Sequence, residues 1–259
     1  MEKYTGVPYY WGPYKIVFLP PNFPYGGMEN PTLTFATPFL IVGDKSQFTV
    51  AVHEIAHSWT GNLVTNMNWD NFWLNEGCTV FLERKISKIL KNDAFVKMDA
   101  RVGNNSMYQA MLNYGITNKF TSLTPRAGLQ NPDDAFSTIP YEKGYQFLLY
   151  LESLDGEVNF QKFFNLWLTK YRYLAVNSDD FRQTFETHLN QVWSSSQAKD
   201  IMKKIDWVTW LEGAGLPPIT ANFTTAEEKT ALKLADDYIS LKGQSSPTGF
   251  ADYKTWPIN

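Results

Sequence analysis

Along the first forty residues the apolar and β-branched positions come in short runs, "YKIVFLP" and "TLTFAT", bounded by Pro, Gly and Asn. That pattern predicts a small sheet at the start of the chain. From Ser46 the spacing changes to helical periodicity. "SQFTVAVHEIAHSW" predicts a helix stopping near Gly61, a residue suited to a helix C-terminus, and "FWLNEGCTVFLERKISKIL" predicts a second with an apolar stripe at Phe72, Val80, Phe81 and Ile86. Further helices are predicted over residues 93–112, 141–153, 157–172, 178–191 and 197–212. Strands first and helices after make an α+β domain. Past "WLEGAGLPP" the pattern weakens to one helix around "AEEKTALKLADDYI", followed by the polar, Gly/Pro-punctuated "KGQSSPTGFADYKTWPIN". The compact domain is therefore expected over residues 1–215, with 216–259 a linker-like tail.

Bulk composition narrows the function classes. A chain of 259 residues with 44% hydrophobic content can bury a substantial core, and no stretch approaches the length of about 18 apolar residues that spans a membrane. The formal net charge of −3, with no local Lys/Arg cluster, offers no basic field for nucleic acid or anionic lipid. The single cysteine, Cys78, rules out an intrachain disulfide framework and suits a reducing compartment, so a cytoplasmic location is expected; a small buried apolar residue explains Cys78 equally well.

Candidate chemistry centres on "VAVHEIAHSWTGN". Two of the three histidines in the chain, His53 and His57, lie four residues apart with Glu54 between them. On a helix these positions share a face, so both imidazoles can reach one cation while the intervening carboxylate handles protons. A catalytic zinc takes three protein ligands and keeps a fourth position open. Glu76, nineteen residues past His57 at the start of the next predicted helix, is the candidate third ligand, returned to the metal by a helix hairpin. Glu83, two turns further on the same face, is either a partner for the outer nitrogen of a ligand imidazole or a surface partner for Arg84 or Lys85.

The second informative stretch is "FPYGGMENP". Gly26 and Gly27 allow close approach of a ligand to bare amides, and Glu29 adds a carboxylate. Pointed into the cleft, Glu29 would pair with a substrate α-ammonium and restrict cleavage to the first peptide bond. Its alternative is a β-turn with a solvated glutamate.

Taken together, "GGMEN", "HEIAHSWTGNLVT" and "NEG" closely resemble the zinc aminopeptidases of the M1 class. Within that class, "LPPNFPYGGMENPTLTF", "GDKS", "FWLNEGCTVFLERKI", "PYEKG" and "DWVTWLEGAGLPP" look like the leukotriene A4 hydrolase branch, in a collinear series from about residue 6 to 220. The resemblance implies a thermolysin-like (gluzincin) zinc metallopeptidase domain with one Zn2+ per chain, held by His53, His57 and Glu76, and with Glu54 as general base. It also implies Glu29 as the anchor of the substrate amino group, Gly26, Gly27 and Met28 in the segment that lines the peptide, and Tyr141 of "PYEKG" as donor to the developing oxyanion. Asp133 matches an aspartate of the substrate pocket, used in the epoxide reaction in particular.

Two departures bear on function. Phe136 stands where vertebrate members carry tyrosine, which weakens the case for lipid epoxide hydrolysis relative to peptidase activity. The family also places a β-rich domain before this region and a helical domain after it, and this chain holds neither. The expected activity is removal of N-terminal residues from short peptides, with a lipid epoxide as a second substrate that the resemblance raises. The alternatives are a metalloendopeptidase, in which Glu29 is idle, and a zinc-holding catalytic domain that is inactive without its flanking domains.

Overall fold

Residues 1–242, 245–247 and 253 are described by the structure, a computed structural model. A short α1 (Glu2–Thr5) precedes three strands, β1 (Lys15–Phe18), β2 (Gly27–Met28) and β3 (Leu33–Ala36). Their order is β1-β3-β2, with β1 parallel to β3 from Lys15↔Leu33 to Phe18↔Ala36, and β2 antiparallel through Gly27↔Ala36 and Met28↔Phe35. β2 is thus an edge strand. It lies against α2 (Phe48–Ala56), which carries the histidine pair.

α2 is shorter than its periodicity predicts. After Ala56 the chain tightens into turns, with Ser58 N–H donating to Ile55 and Trp59 N–H to Ala56, and Gly61 takes φ +116°, a left-handed angle that side chains resist. A Cβ at Gly61 would also stand 2.8 Å from His57 Nδ1. The early end of α2 therefore makes room for the second imidazole.

The next strand, β4 (Val64–Asn66), pairs in parallel with β5 (Leu174–Val176). Neither was expected from the sequence, because three residues are too few to show a period of two. Between them run α3 (Phe72–Leu90), α4 (Asp93–Tyr114), α5 (Ile139–Asp155) and α6 (Glu157–Lys170); α7 (Ser178–Val192) follows. The helix predicted over 197–212 is two helices, α8 (Ser195–Lys203) and α9 (Trp207–Leu211). The Asp206 side chain accepts from Thr209 N–H and starts a new helix there. Its period matches on both sides of the break, so the pattern alone reads as continuous.

The core is aromatic. Phe81, Phe160, Phe163, Phe164, Trp167, Phe181 and Phe185 are fully or almost fully buried, and Trp73 packs on both Phe147 and Phe181. Ala221 and Phe223 lean on the same core, Phe223 stacking on Tyr145, and α10 (Ala226–Ser240) follows, tied to α4 by Arg101–Glu228. Most of the linker expected after residue 242 lies outside the described residues. Among the described residues no helix is long and apolar enough to cross a membrane. Cys78 is a buried free thiol whose pKa burial raises.

α3 and α5 cross at two glycines. A Cβ at Gly77 would stand 2.8 Å from Gly144 Cα, and one at Gly144 would stand 2.9 Å from Gly77 Cα. Backbone opposes backbone, so neither side can yield without the helices parting. Gly144→Ala should therefore destabilise the protein by about 1–3 kcal/mol, measured as a lower urea midpoint at unchanged slope. An unaltered midpoint would show that the crossing tolerates the added methyl group.

Candidate active site

Three elements converge on the histidine pair. α2 supplies His53, Glu54 and His57, the first turns of α3 supply Glu76, and β2 with the residues after it supplies Gly27, Met28 and Glu29. His53 Nε2 and His57 Nε2 are 3.0 Å apart, and Glu76 Oε2 lies 3.2 Å from the first and 3.3 Å from the second. The outer ring nitrogens are fixed by acceptors. His57 Nδ1 lies 2.9 Å from the Thr60 carbonyl and His53 Nδ1 lies 3.0 Å from Glu83 Oε2. A carbonyl or carboxylate oxygen can only accept, so each Nδ1 carries a proton and each Nε2 is free to aim a lone pair inward.

The triangle suits a metal ion. Ligand atoms about 2.0–2.1 Å from a tetrahedral zinc lie roughly 3.3–3.4 Å from one another, close to the spacing observed. With two imidazoles and one carboxylate the donor set is also of the kind zinc takes at catalytic sites. The residues fit the ion. Without it, burial opposes charge on His53, but hydrogen bonds and charge from Glu76 and Glu83 hold its pKa well above the ordinary value. Burial opposes charge on His57 too, and Glu76 again raises it. Burial likewise opposes the Glu76 carboxylate, yet the two imidazoles hold it down at about 2.

Glu54 is buried beside this triangle, and its Oε2 has no hydrogen-bond partner. Burial pushes its pKa up to about 7, against the opposing influence of His53 and His57. Its carboxylate rests against the bare backbone of Gly27, where any Cβ would collide with it. Glu29 Oε1 is 3.9 Å from His57 Nδ1, while Asn62 Nδ2 donates to the Glu29 carbonyl at 2.7 Å and pins the strand end to the turn after α2. The solvated-turn alternative for Glu29 does not describe this placement.

Tyr141, in the first turn of α5, lays its ring parallel to His53 at 6.0 Å, with Phe72 and Phe136 edge-on to it. Burial first, then the Glu76 charge, raises its phenol pKa, so it is a neutral donor near neutral pH. Met28 of β2 and Gly26 just before it are both exposed. Asp133 is not drawn in. It sits exposed on a 3-10 turn, Pro132–Ala135, and no contact among the described residues joins its carboxylate to the cluster, although Phe136 three residues on borders Tyr141 and Tyr25.

Glu83 takes the imidazole rather than the surface. Arg84 and Lys85, its alternative partners, are engaged with Glu142 and Glu152 instead. Thr79 was not singled out from the sequence; its hydroxyl lies 3.1 Å from His57 Nδ1 and 2.8 Å from the Thr60 carbonyl. Its place one turn past Glu76 was the available signal, but threonines on helices are too common for it to stand out.

Residues 1–210 match the peptidase family M1 domain. The chain belongs to peptidase family M1. Among curated M1 relatives, leucine aminopeptidase 2 of Emericella nidulans is 42% identical over 234 residues, which are 90% of this chain and 37% of that protein. Leucine aminopeptidase 2 of Ajellomyces capsulatus is 44% identical over 211 residues, 82% of this chain and 33% of the relative. The chain therefore spans about two-fifths or less of the length of these M1 proteins. Among solved structures, yeast LTA4 hydrolase in complex with bestatin superposes with a TM-score of 0.88 at 35% identity, covering 98% of this chain and 40% of the other. An M1 zinc metallopeptidase from Deinococcus radiodurans, 20% identical with a TM-score of 0.55, shares the fold.

The Glu54 shift gives a sign for stability in the metal-free M1 domain. A carboxylate raised from 4.5 to about 7 binds more protons folded than unfolded in that window. Its contribution is present below the unfolded value and lost as pH rises through the folded one. With zinc chelated, Glu54→Gln should gain stability relative to wild type as pH rises from about 4 to about 8, by about 3 kcal/mol at the plateau. Urea unfolding across that range measures it, and a difference independent of pH would contradict the shift.

Proposed function

We propose that this chain is a zinc aminopeptidase catalytic domain acting on short peptides with a free N-terminus. The observation that carries the reading is Glu29: its carboxylate is 14% exposed, stands beside the histidine pair, and has no lysine or arginine partner among the described residues. A carboxylate with no lysine or arginine partner at the end of an edge strand suits a substrate α-ammonium. Among the described residues no strand pairs with the outer edge of β2, so a peptide running along it would have its first carbonyl directed towards the triangle of His53, His57 and Glu76.

Those three residues would hold one zinc ion per chain. When bound there, zinc would supply Lewis-acid polarisation of the carbonyl and acidify a water. Glu54, buried beside that triangle with an unpartnered oxygen, would take a proton from that water and pass one to the departing amine. Tyr141 would donate its phenol proton in a hydrogen bond to the oxyanion as it forms. Glu83 and the Thr60 carbonyl keep both imidazoles turned inward.

Hydrolysis of a lipid epoxide draws less support, because Phe136 presents a ring without a hydroxyl beside Tyr141, and Asp133 stays outside the cluster. The buried free thiol of Cys78 suits a cytoplasmic setting. The whole-length relatives carry further chain on which full activity can depend.

Hydrolysis of leucyl and arginyl p-nitroanilide by zinc-loaded protein tests the reading, beside the same substrates N-acetylated. Free-amine substrates alone should be cleaved, Glu54→Gln should abolish turnover at unchanged zinc content, and Glu29→Ala should impair only free-amine substrates. Tyr141→Phe should lower kcat on the order of a hundredfold, as loss of one oxyanion donor does. Equal cleavage of acetylated substrates would favour an endopeptidase, and zinc-loaded protein without turnover would favour a domain that needs its flanking chain.

A further inference from the structure

Tyr141 has no side chain of its own helix cap to hold it. Thr138, at the start of α5, makes no capping hydrogen bond, and apart from the Glu76 carboxylate that its phenol faces, Tyr141 is bordered by other rings. The next residue is different. Glu142 is buried, and both its carboxylate oxygens are taken by Arg84 of α3, Nη1 to Oε2 at 2.8 Å and Nη2 to Oε1 at 2.9 Å. Arg84 is also buried; its Nε donates to Asp99 of α4 at 2.8 Å, and its guanidinium lies 4.3 Å over the Tyr145 ring of α5. Gly103 of α4 completes the enclosure, because any Cβ there would collide with the Glu142 carboxylate.

We propose that the Arg84–Glu142 pair is a positioning device for Tyr141: it locks the first turn of α5 onto α3 and so sets where the phenol points relative to Glu76. The proposal rests on the oxyanion role given to Tyr141 above. A bidentate guanidinium–carboxylate pair fixes orientation as well as distance, which a lysine or a solvated pair does not. Two buried charges also add little net stability over apolar residues of the same volume, so a contribution to geometry accounts for the pair better than one to stability. α3 is the common rail. Its residues 83 and 84 are adjacent, and they reach His53 and Glu142 respectively, so one helix sets both the ligand imidazole and the turn that carries the phenol. Lys143 secures the other flank, buried and donating to the carbonyls of Thr121, Gly213 and Gly215 at 3.0, 2.7 and 2.9 Å.

Truncation of either side chain could unfold the protein, so the test uses the nearly isosteric Glu142→Gln and the charge-conserving Arg84→Lys, each alone and combined with Tyr141→Phe. Binding of a free-amine phosphonate dipeptide, a mimic of the tetrahedral state, is measured by calorimetry on zinc-loaded protein. Each variant should weaken binding of the mimic on the order of tenfold to a hundredfold, as expected for displacement of a donor by about 1 Å. Zinc content and the affinity for a simple amino-acid amide should hold. In the Tyr141→Phe background the same substitutions should have no further effect, whereas an additive loss would show that they act elsewhere and overturn the proposal. If Tyr141→Phe alone binds the mimic as tightly as wild type, the oxyanion role fails and the positioning role with it. A crystal structure of Arg84→Lys gives a readout independent of ligand: the Tyr141 hydroxyl should move by about 1 Å with both histidines in place, and an unmoved hydroxyl would overturn the proposal.

Discussion

Two imidazole nitrogens and a carboxylate oxygen held 3.0–3.3 Å apart in a buried cleft cannot all keep their lone pairs idle. They must share protons or a cation. The mutual charge shows as imidazoles that bind protons more tightly than usual and a glutamate that gives them up readily. Much of the neighbouring structure serves to maintain that convergence: Glu83 and Thr60 fix the ring faces, Gly61 leaves space for His57, and the Gly77–Gly144 crossing brings α5 close to the helix that carries Glu76.

The convergence also explains why α3 is so thoroughly buried. From Trp73 to Arg84 its residues are inside, including polar ones at 75, 76, 79, 83 and 84. A helix that is apolar on only one stripe could not meet α2, α4 and α5 at once. Polar side chains at these positions find partners, Asn75 Nδ2 the Asn66 side chain, Glu76 the imidazoles, Thr79 the Thr60 carbonyl, Glu83 His53, and Arg84 two acids, with only Asn75 Oδ1 of this set left without a hydrogen bond among the described residues. Buried polarity of this kind gives a unique register to helices that hydrophobic packing alone would leave free to slide.

Much of this was legible in the sequence. The spacing of His53 and His57 follows from helical geometry alone, and the long helices α3 to α7 repeat their apolar residues over enough turns to be read. The short elements were not legible. β4 and β5 exist because two distant tripeptides pair, and the division of α8 from α9 depends on a cap at Asp206 that the apolar period does not reveal. At the site, Glu83 had two open readings until the engagement of Arg84 and Lys85 elsewhere left it to His53. Glu29 had an open alternative as a solvated turn residue and Tyr141 could be named only through resemblance, since their proximity to the histidines comes from chain segments far apart in sequence. Glu142 attracted no notice at all, because a glutamate in the first turn of a helix ordinarily faces water.

The account stands on a cation at the meeting point of three named atoms. Anomalous diffraction at the zinc edge, from crystals of the protein loaded with one equivalent of zinc, tests this most directly. It predicts one strong peak per chain, about 2.0–2.2 Å from His53 Nε2, His57 Nε2 and a Glu76 oxygen. A peak bound elsewhere, or a zinc-loaded protein with no peak between these residues, would contradict it.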